Sequence, residues 1–508
     1  MCGIVVSIVI LVVGASLVLV STIVGFAVVP GIVENMIIDS VVLSDDSQQF
    51  ERFQEVPFGL NFSVTLFNIE NPAEVLEGGV PNLTERGPYI YRLRQNRIIS
   101  NEEEDKLTYN RLENFEFNER ASFPFTEDDI VTITNTPYHA ILQVAESAFP
   151  EMASFLPMVM NGIFGQNNNA PIIDIRVGDL LFDGIPLCKD ADLIGRVACN
   201  LIRNMTETSQ NIETQDDGSM LFTVLAYKQN KPTAPYKVLR GLNDHTDLGR
   251  ILSYNERSSL EYWVDEVDEE GESIEPSICN TIKGTDSAIF PPFVDTGNSI
   301  FALNADICRS VELRYQYDTE YEGIPTKRFS ANEWFLDNED GCYCLNVTKG
   351  ITQENGCLLR GTMELFTCSG AFMVLSYPHF LYADPIYRNG VVGMNPVEDK
   401  HRIMLDIEPN TGTPVVGAKR AQFNIFIRPI SGIVATDNIK TTLMPLFWVE
   451  ETSRLPLNFV EEIQGRLLRP LNLLSILIPV IVAICFVILV IGILVTIRAS
   501  SKRNKIKQ

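Results

Sequence analysis

The segment GCYCLNVTKGITQENGC, from Gly341 to Cys357, carries Cys342, Cys344 and Cys357, and Cys368 follows it. Thiols this dense serve a metal knuckle, a redox centre or a set of disulfides. Structural zinc sites space paired cysteines by two to four residues and often add histidine. Here one residue separates Cys342 from Cys344, and the four histidines, His139, His245, His379 and His401, are scattered without ligand spacing. No metal and no cofactor is therefore expected. The choice between thiol and disulfide depends on which side of a membrane the segment lies. Other chemistry has no footing: the chain has no G-x-S-x-G elbow, no H-E-x-x-H, no phosphate-cradling loop and no dinucleotide fingerprint. The expectation is a protein that is not an enzyme.

The ends of the chain decide the compartment. The first 33 residues carry no charged side chain, and residues 4–33 are apolar enough to cross a bilayer, which takes about 20 helical residues. A cleaved signal ending near Gly25 is the alternative, but the basic start and short apolar run of such a signal are missing. A second apolar run covers 473–497 and breaks into a tail, 498–508, with Arg498, Lys502, Arg503, Lys505 and Lys507. A basic cluster beside a span marks the cytoplasmic side. Two spans then put residues 1–3 in the cytoplasm as well, and 34–472 outside it or in a lumen.

That outer region holds all 65 acidic residues and 35 of the 40 basic ones, which argues against nucleic acid as a partner. The acidic stretch DEVDEEGESIE lacks the spacing of a calcium loop and reads as an exposed insertion. Eight cysteines lie outside: Cys188, Cys199, Cys279, Cys308, Cys342, Cys344, Cys357 and Cys368. In an oxidising compartment they read as disulfides, with 105 connectivities open to arithmetic. Four sequons, at Asn61, Asn82, Asn204 and Asn346, fit N-glycosylation on that side.

Period-two alternation in LNFSVTLFNI and AQFNIFIRPI, and the turn EPNTGTP after RIMLDI, predict a large, mostly antiparallel sheet. Asp217-Gly218 reads as a hairpin turn before the strand MLFTVLAY. Residues 137–164 differ: they read as helices broken at Pro150 and Pro157, with more apolar residues than one helical stripe needs. Phe149, Met152, Phe155, Val159 and Phe164 are the candidates for a lipid-docking surface, against the plainer reading of helices that cover a core. No repeat or linker divides the region, so one continuous domain is expected.

Five stretches, ENPAEVLEGGVPNLTERGPYIYR, KGTDSAIFPPF, DICRSV, YPHFLYADP and LDIEPNTGTP, occur in this order between the two spans. Together they resemble the class B scavenger receptor family, also called the fatty-acid translocase family, over essentially the whole chain. FDGIPLC, RVAC and PLFWVEE look most like its sensory neuron membrane protein branch. The resemblance implies a mainly β fold with α: a large antiparallel β-barrel-like ectodomain with a helical apex, anchored by two transmembrane helices. It implies the disulfides Cys279–Cys342, Cys308–Cys368 and Cys344–Cys357, to which Cys188–Cys199 is added as a hypothesis.

It also implies a receptor that captures fatty acids, lipids, lipoproteins or lipid-like signals. Such a receptor passes them through an ectodomain tunnel to the membrane, or to a co-receptor, with lipid particles or a lipid-carrier protein as partners. One departure bears on the ligand: NGIFGQNNNAPII lacks the lysines that several family members place at the apex for anionic ligands. No acidic dileucine signal stands in the tail, which favours the plasma membrane over the lysosomal membrane. Phagocytic recognition of particles and lysosomal sorting of a protein cargo are the alternative functions.

Overall fold

The computed structural model describes residues 2–165, 168–189, 191–205, 210–264, 278–337 and 341–507; the acidic stretch DEVDEEGESIE lies outside them. Both apolar ends are helical. The first helix runs over Cys2–Ile23 and Val29–Val41 through a π turn at Val24–Val28. The last runs from Leu457–Ile463 through Gln464–Leu468 into Arg469–Lys507. Each outruns its apolar stretch and is long and apolar enough to cross a membrane.

The two helices touch through glycines. A Cβ on Gly14 would sit 2.8 Å from the Leu489 Cα, and one on Gly492 would sit 3.0 Å from the Leu11 Cα. Gly25 abuts Ile478 in the same way. Contacts that climb one helix descend the other, so the pair is antiparallel and the two ends of the chain lie together. Without a hydrophobic drive between helices in lipid, such small-residue contacts are what holds a pair.

Between the helices stands a 13-stranded sheet, antiparallel at every pairing along it. Its strands are β1 (Leu60–Ile69), β2 (Leu83–Glu103), β3 (Lys106–Phe117), β4 (Tyr236–Leu239), β5 (Ile251–Tyr254) and β6 (Ile300–Asn304). After them come β7 (Arg309–Tyr321), β8 (Ile324–Ala331), β9 (Thr362–Glu364), β10 (Met373–Ser376), β11 (Ile403–Glu408), β12 (Thr413–Ile427) and β13 (Thr442–Arg454). The order is β5-β4-β3-β2-β1-β13-β12-β11-β8-β7-β6, with β9 on β10 and β10 on β12. EPNTGTP turns β11 into β12, where buried Glu408 accepts hydrogen bonds from the Asn410 and Thr411 backbone and side chains.

The expected barrel does not close. The end strands β5 and β6 are four and five residues long and share no ladder. Gly284 and Thr285, from the KGTDSAIFPPF stretch, stand between them instead. Ile251 N–H donates to Gly284 O at 2.9 Å, Thr285 N–H to Phe301 O at 3.2 Å, and Leu303 N–H to Thr285 O at 2.8 Å. Gly284 has φ +79°, and a Cβ there would run into the Phe301 carbonyl, so only glycine fits. The edges of the open sheet are thus satisfied by a loop rather than by each other.

Both faces of the sheet are covered, which blurs the alternation that the sequence shows. In β1, Val64 and Leu66 join one apolar core, and Phe67 and Ile69 join another on the opposite face with Phe380, Tyr387 and Phe426. Asp217-Gly218 does turn a hairpin, but its second strand is only Met220–Phe222, and the chain then bends into a short 3-10 turn at Ala226–Lys228.

Candidate functional site

The stretch 137–164, expected to form the apex, folds as α1 (Thr136–Ala148) and α2 (Leu156–Phe164), which share a core with a third helix, α3 (Leu193–Met205). Asn135 caps α1 by accepting from Tyr138 N–H, while its own amide donates to Asn168 O and Ala170 O. The chain breaks at Phe149, before Pro150, into a 3-10 turn (Pro150–Phe155). Pro157 is not a break: it sits in the first turn of α2, where its missing N–H has no partner to lose. Gln143 donates to Phe426 O at 3.1 Å, and Glu146 pairs with Arg428 and Lys349, which ties α1 to the end of β12. Glycines let α2 and α3 cross closely, since a Cβ on Gly162 would meet Gly195.

The candidate docking residues divide. Phe155 is 57% exposed. Phe149 and Val159 are half-buried. Phe164 is buried against Tyr138 at 5.5 Å between ring centroids and belongs to the core under the apex, not its surface. Met152 lies in the 3-10 turn, and its side chain is outside the described residues. Sequence reasoning passed over α3. Leu193, Val197 and Leu201 are all exposed there, at 78% for Leu193, while Ala198, Cys199 and Ile202 pack inward. The i, i+4, i+8 spacing in LIGRVACNLIRNM carried that signal. Met158, on α2, is exposed as well.

Disulfides join Cys188 to Cys199, Cys279 to Cys342, Cys308 to Cys368 and Cys344 to Cys357. The first staples α3 to the strand Ile185–Leu187. The last closes the opening segment, and the fully buried Glu364 organises it by accepting backbone N–H bonds from Leu345, Asn346, Val347 and Thr348. Asn61, Asn82, Asn204 and Asn346 are each exposed, although Thr206 of the third sequon lies outside the described residues. Among the described residues no group of three His, Cys, Asp or Glu is placed to hold a metal.

The concave face of the sheet is the second candidate. On β12 the outward residues Val416, Ala418, Gln422 and Asn424 are buried, whereas the inward Gly417, Lys419, Ala421 and Phe423 are partly exposed. Met373 and Phe423 pack against two apolar cores at once and so join them. A third core, with Leu43, Phe53, Leu107 and Tyr109, takes in Val41 at the end of the first apolar helix.

A charged belt crosses this face. Along the inner row of β3 the order is Leu107, Tyr109, Arg111, Glu113, Phe115, and Gln95 and Arg97 of β2 stand opposite Glu113 and Arg111. Arg97 and Asp286, 1% and 3% exposed, form a buried ion pair in which Arg97 Nε and Nη2 both donate to Asp286 Oδ2, and the Tyr109 hydroxyl donates to the same oxygen at 2.8 Å. Burial works against the Asp286 carboxylate, but Arg97 holds it down to about 2. Glu113 accepts from Gln95 at 3.1 Å and pairs with Lys228, which also meets Asp306 at 2.7 Å. Burial opposes its charge too, but Lys228 and Arg111 hold it down to about 2. Lys419 and Glu451, paired at 2.8 Å, complete the belt, and Glu451 lies within the field of Arg111. Four basic groups, Arg97, Arg111, Lys228 and Lys419, thus face four carboxylates, Asp286, Glu113, Asp306 and Glu451. No run of alternating apolar residues marked this belt in the sequence.

Two of the scattered histidines meet on the opposite face. His379 and His401 stack at 4.5 Å, and each Nδ1 accepts a backbone N–H, from Asn395 and Val397 respectively. His379 Nε2 donates to Glu85, which also accepts from Trp448 Nε1. The arrangement is a packed polar joint between β2, β13 and the YPHFLYADP stretch.

A CD36 family model matches residues 12–496. Sensory neuron membrane protein 2 of Drosophila melanogaster is 32% identical over 507 residues, which cover 89% of this chain and 90% of that protein. Sensory neuron membrane protein 2 of Aedes aegypti is 32% identical over 87% of this chain and 90% of its own length. Sensory neuron membrane protein 1 of Pediculus humanus subsp. corporis is 32% identical over 89% and 84%.

Proposed function

The chain belongs to the CD36 family, and we propose that it is a non-enzymatic surface receptor that takes hydrophobic ligands at its apex and hands them inward. In this reading the two end helices are membrane spans, residues 1–3 and 498–508 are cytoplasmic, and 34–472 stands outside as one domain in the plasma membrane. The antiparallel helix pair, the basic tail and four disulfides support that placement. Glycans on Asn61, Asn82, Asn204 and Asn346 fit the same side, where all four side chains meet solvent.

The observation that carries the reading is the exposed apolar surface of the apex: Phe155 and Met158 on one side of the α2–α3 packing, Leu193, Val197 and Leu201 on the other. A soluble surface with no partner has little reason to keep five large apolar side chains in water. Behind it, the partly exposed row of β12, which lies against two apolar cores, is the surface along which this reading sends the ligand towards the end helices. Moving a chain of about 16 carbons through water costs on the order of 12 kcal/mol at about 0.8 per methylene, and an apolar path removes most of that. A co-receptor or a lipid carrier would complete the relay.

Uptake of a fluorescent lipid by cells with equal surface levels of wild type and Phe155→Glu tests this. Reduced uptake is expected; unchanged uptake contradicts capture at the apex. Particle recognition needs the same apex but no interior path. Ala421→Trp, on the inner row, separates the two: it should abolish lipid transfer under the relay reading and leave particle binding intact under the other.

A further inference from the structure

The two stacked imidazoles, His379 and His401, do more than fill a joint. A backbone N–H can only donate. His379 Nδ1, which takes the Asn395 N–H at 3.1 Å, and His401 Nδ1, which takes the Val397 N–H at 3.0 Å, are therefore both bare acceptors. Both rings are neutral, with their hydrogen on Nε2, and His379 donates its own to Glu85 at 3.0 Å. A second proton on either ring would have to land on Nδ1, facing the N–H that this atom now receives.

Those two bonds hold a strap. Residues 392–400 run over the joint, and Val392, Gly393, Asn395 and all of 397–400 are exposed. The strap is pinned at its start, where Val392 N–H donates to Pro81 O at 2.8 Å and Leu83 N–H to Val392 O at 3.0 Å. At its end the short helix Glu398–His401 is tied by Arg402 to Glu398 and Asp399. Between these points, among the described residues, the N–H groups of 393–397 make the two bonds to histidine and no other. Met394 of the strap packs on the core of Phe67, Phe380 and Tyr387. His379 and Phe380 both have φ +56°, a left-handed conformation that residues with a Cβ rarely adopt. The stretch beneath the strap is thus held by its surroundings and not by its own preference.

We propose that His379 and His401 form a proton-operated latch: neutral, they hold the strap down, and a proton from solvent on His401 Nδ1 breaks the bond to Val397 and lets the strap lift. The surroundings keep the latch shut at neutral pH. Burial opposes a charge on His401, as do His379 stacked on it, Arg420 of β12 and Lys400 beside it, while Glu85 of β2 favours one; the ring is held down to about 4. Arg420 is itself paired with Glu450, and Trp448 of β13 packs its ring 5.9 Å from His401. With the strap lifted, His401 meets water and takes its proton near pH 6.5. The open form therefore gains on the closed one as pH falls between these two values, and acid uncovers the apolar core beneath Met394. The latch stands apart from lipid capture and does not depend on it.

Hydrogen exchange on the full chain in nanodiscs, read by mass spectrometry at stepped pH, tests the latch. In wild type the protection of the peptide holding Asn395 and Val397, corrected for the intrinsic rate, should fall about tenfold per pH unit between about pH 6.5 and 4. Peptides of β12 and β13 should keep theirs, since the opening is local. His401→Asn offers an Oδ1 that accepts the Val397 N–H but takes no proton. It should protect the strap at neutral pH and abolish the pH dependence. Where that variant folds poorly, the wild-type comparison of strap with sheet decides. Strap protection that does not change with pH, strap and sheet peptides that lose protection together, or a folded His401→Asn that keeps the wild-type profile would each overturn the latch.

Discussion

The apex and the sheet interior invert the ordinary arrangement of a soluble protein. At the apex, Phe155, Leu193 and Val197 stand in solvent on helices held by a disulfide and a glycine crossing. Inside the sheet, Arg97, Glu113 and Asp286 are buried among tyrosines. Neither arrangement favours folding: exposed apolar surface forgoes burial, and a buried ion pair at best breaks even against apolar packing. Places where a chain departs from the rules that stabilise it are where function is to be sought. The two regions depart in opposite senses, apolar groups in water at one and charged groups under cover at the other.

The interior should be the more costly to disturb. Asp286→Ala strands the Arg97 guanidinium, whose partner it is, and should cost about 3–5 kcal/mol, read as a large fall in melting temperature or loss of surface expression. Acid should strain the molecule next. His139, buried under the apex, is held down to about 4 by burial, and His401 is held down to about 4 by burial and by His379. The unfolded chain takes up these protons near pH 6.5 and the folded one does not, so stability is intact above pH 6.5 and falls as pH drops towards 4. The loss should reach about 3 kcal/mol for His139 and can be followed by melting at stepped pH. A Cys188→Ala, Cys199→Ala double variant should cost about 2–3 kcal/mol and loosen α3, with lipid capture falling more than the melting temperature of the sheet. Phe155→Glu is the gentlest, with stability changed by about 0.5 kcal/mol or less while uptake drops. An apex variant that unfolds the protein, or an Asp286 variant that does not, would erase the contrast.

Much of this was legible in the sequence where length or periodicity speaks. The spans follow from uninterrupted apolar residues, and β1 and β12 from alternation. The apex helices were visible up to the proline positions, where Pro150 breaks the helix and Pro157 starts one. Phe164 could not be told from Phe155 by type; only the packing of Tyr138 against it sends it inward. The belt was hidden for a definite reason. Arg92 to Arg97 of β2 read as polar on both faces apart from Leu93, so period two gives no sign of which side faces in until β3 is set in register. The failure of the barrel to close was likewise invisible, because Gly284 and Thr285 lie in a loop that no strand pattern announces.

A photoactivatable C16 lipid, crosslinked on intact cells and mapped by peptide mass spectrometry, tests the central claim most directly. Labels on the inner-row peptides that contain Ala421, Phe423 or Val449, lost in Phe155→Glu, are the predicted result. Labels confined to the apex or to the membrane helices, with the inner row untouched, would contradict the account.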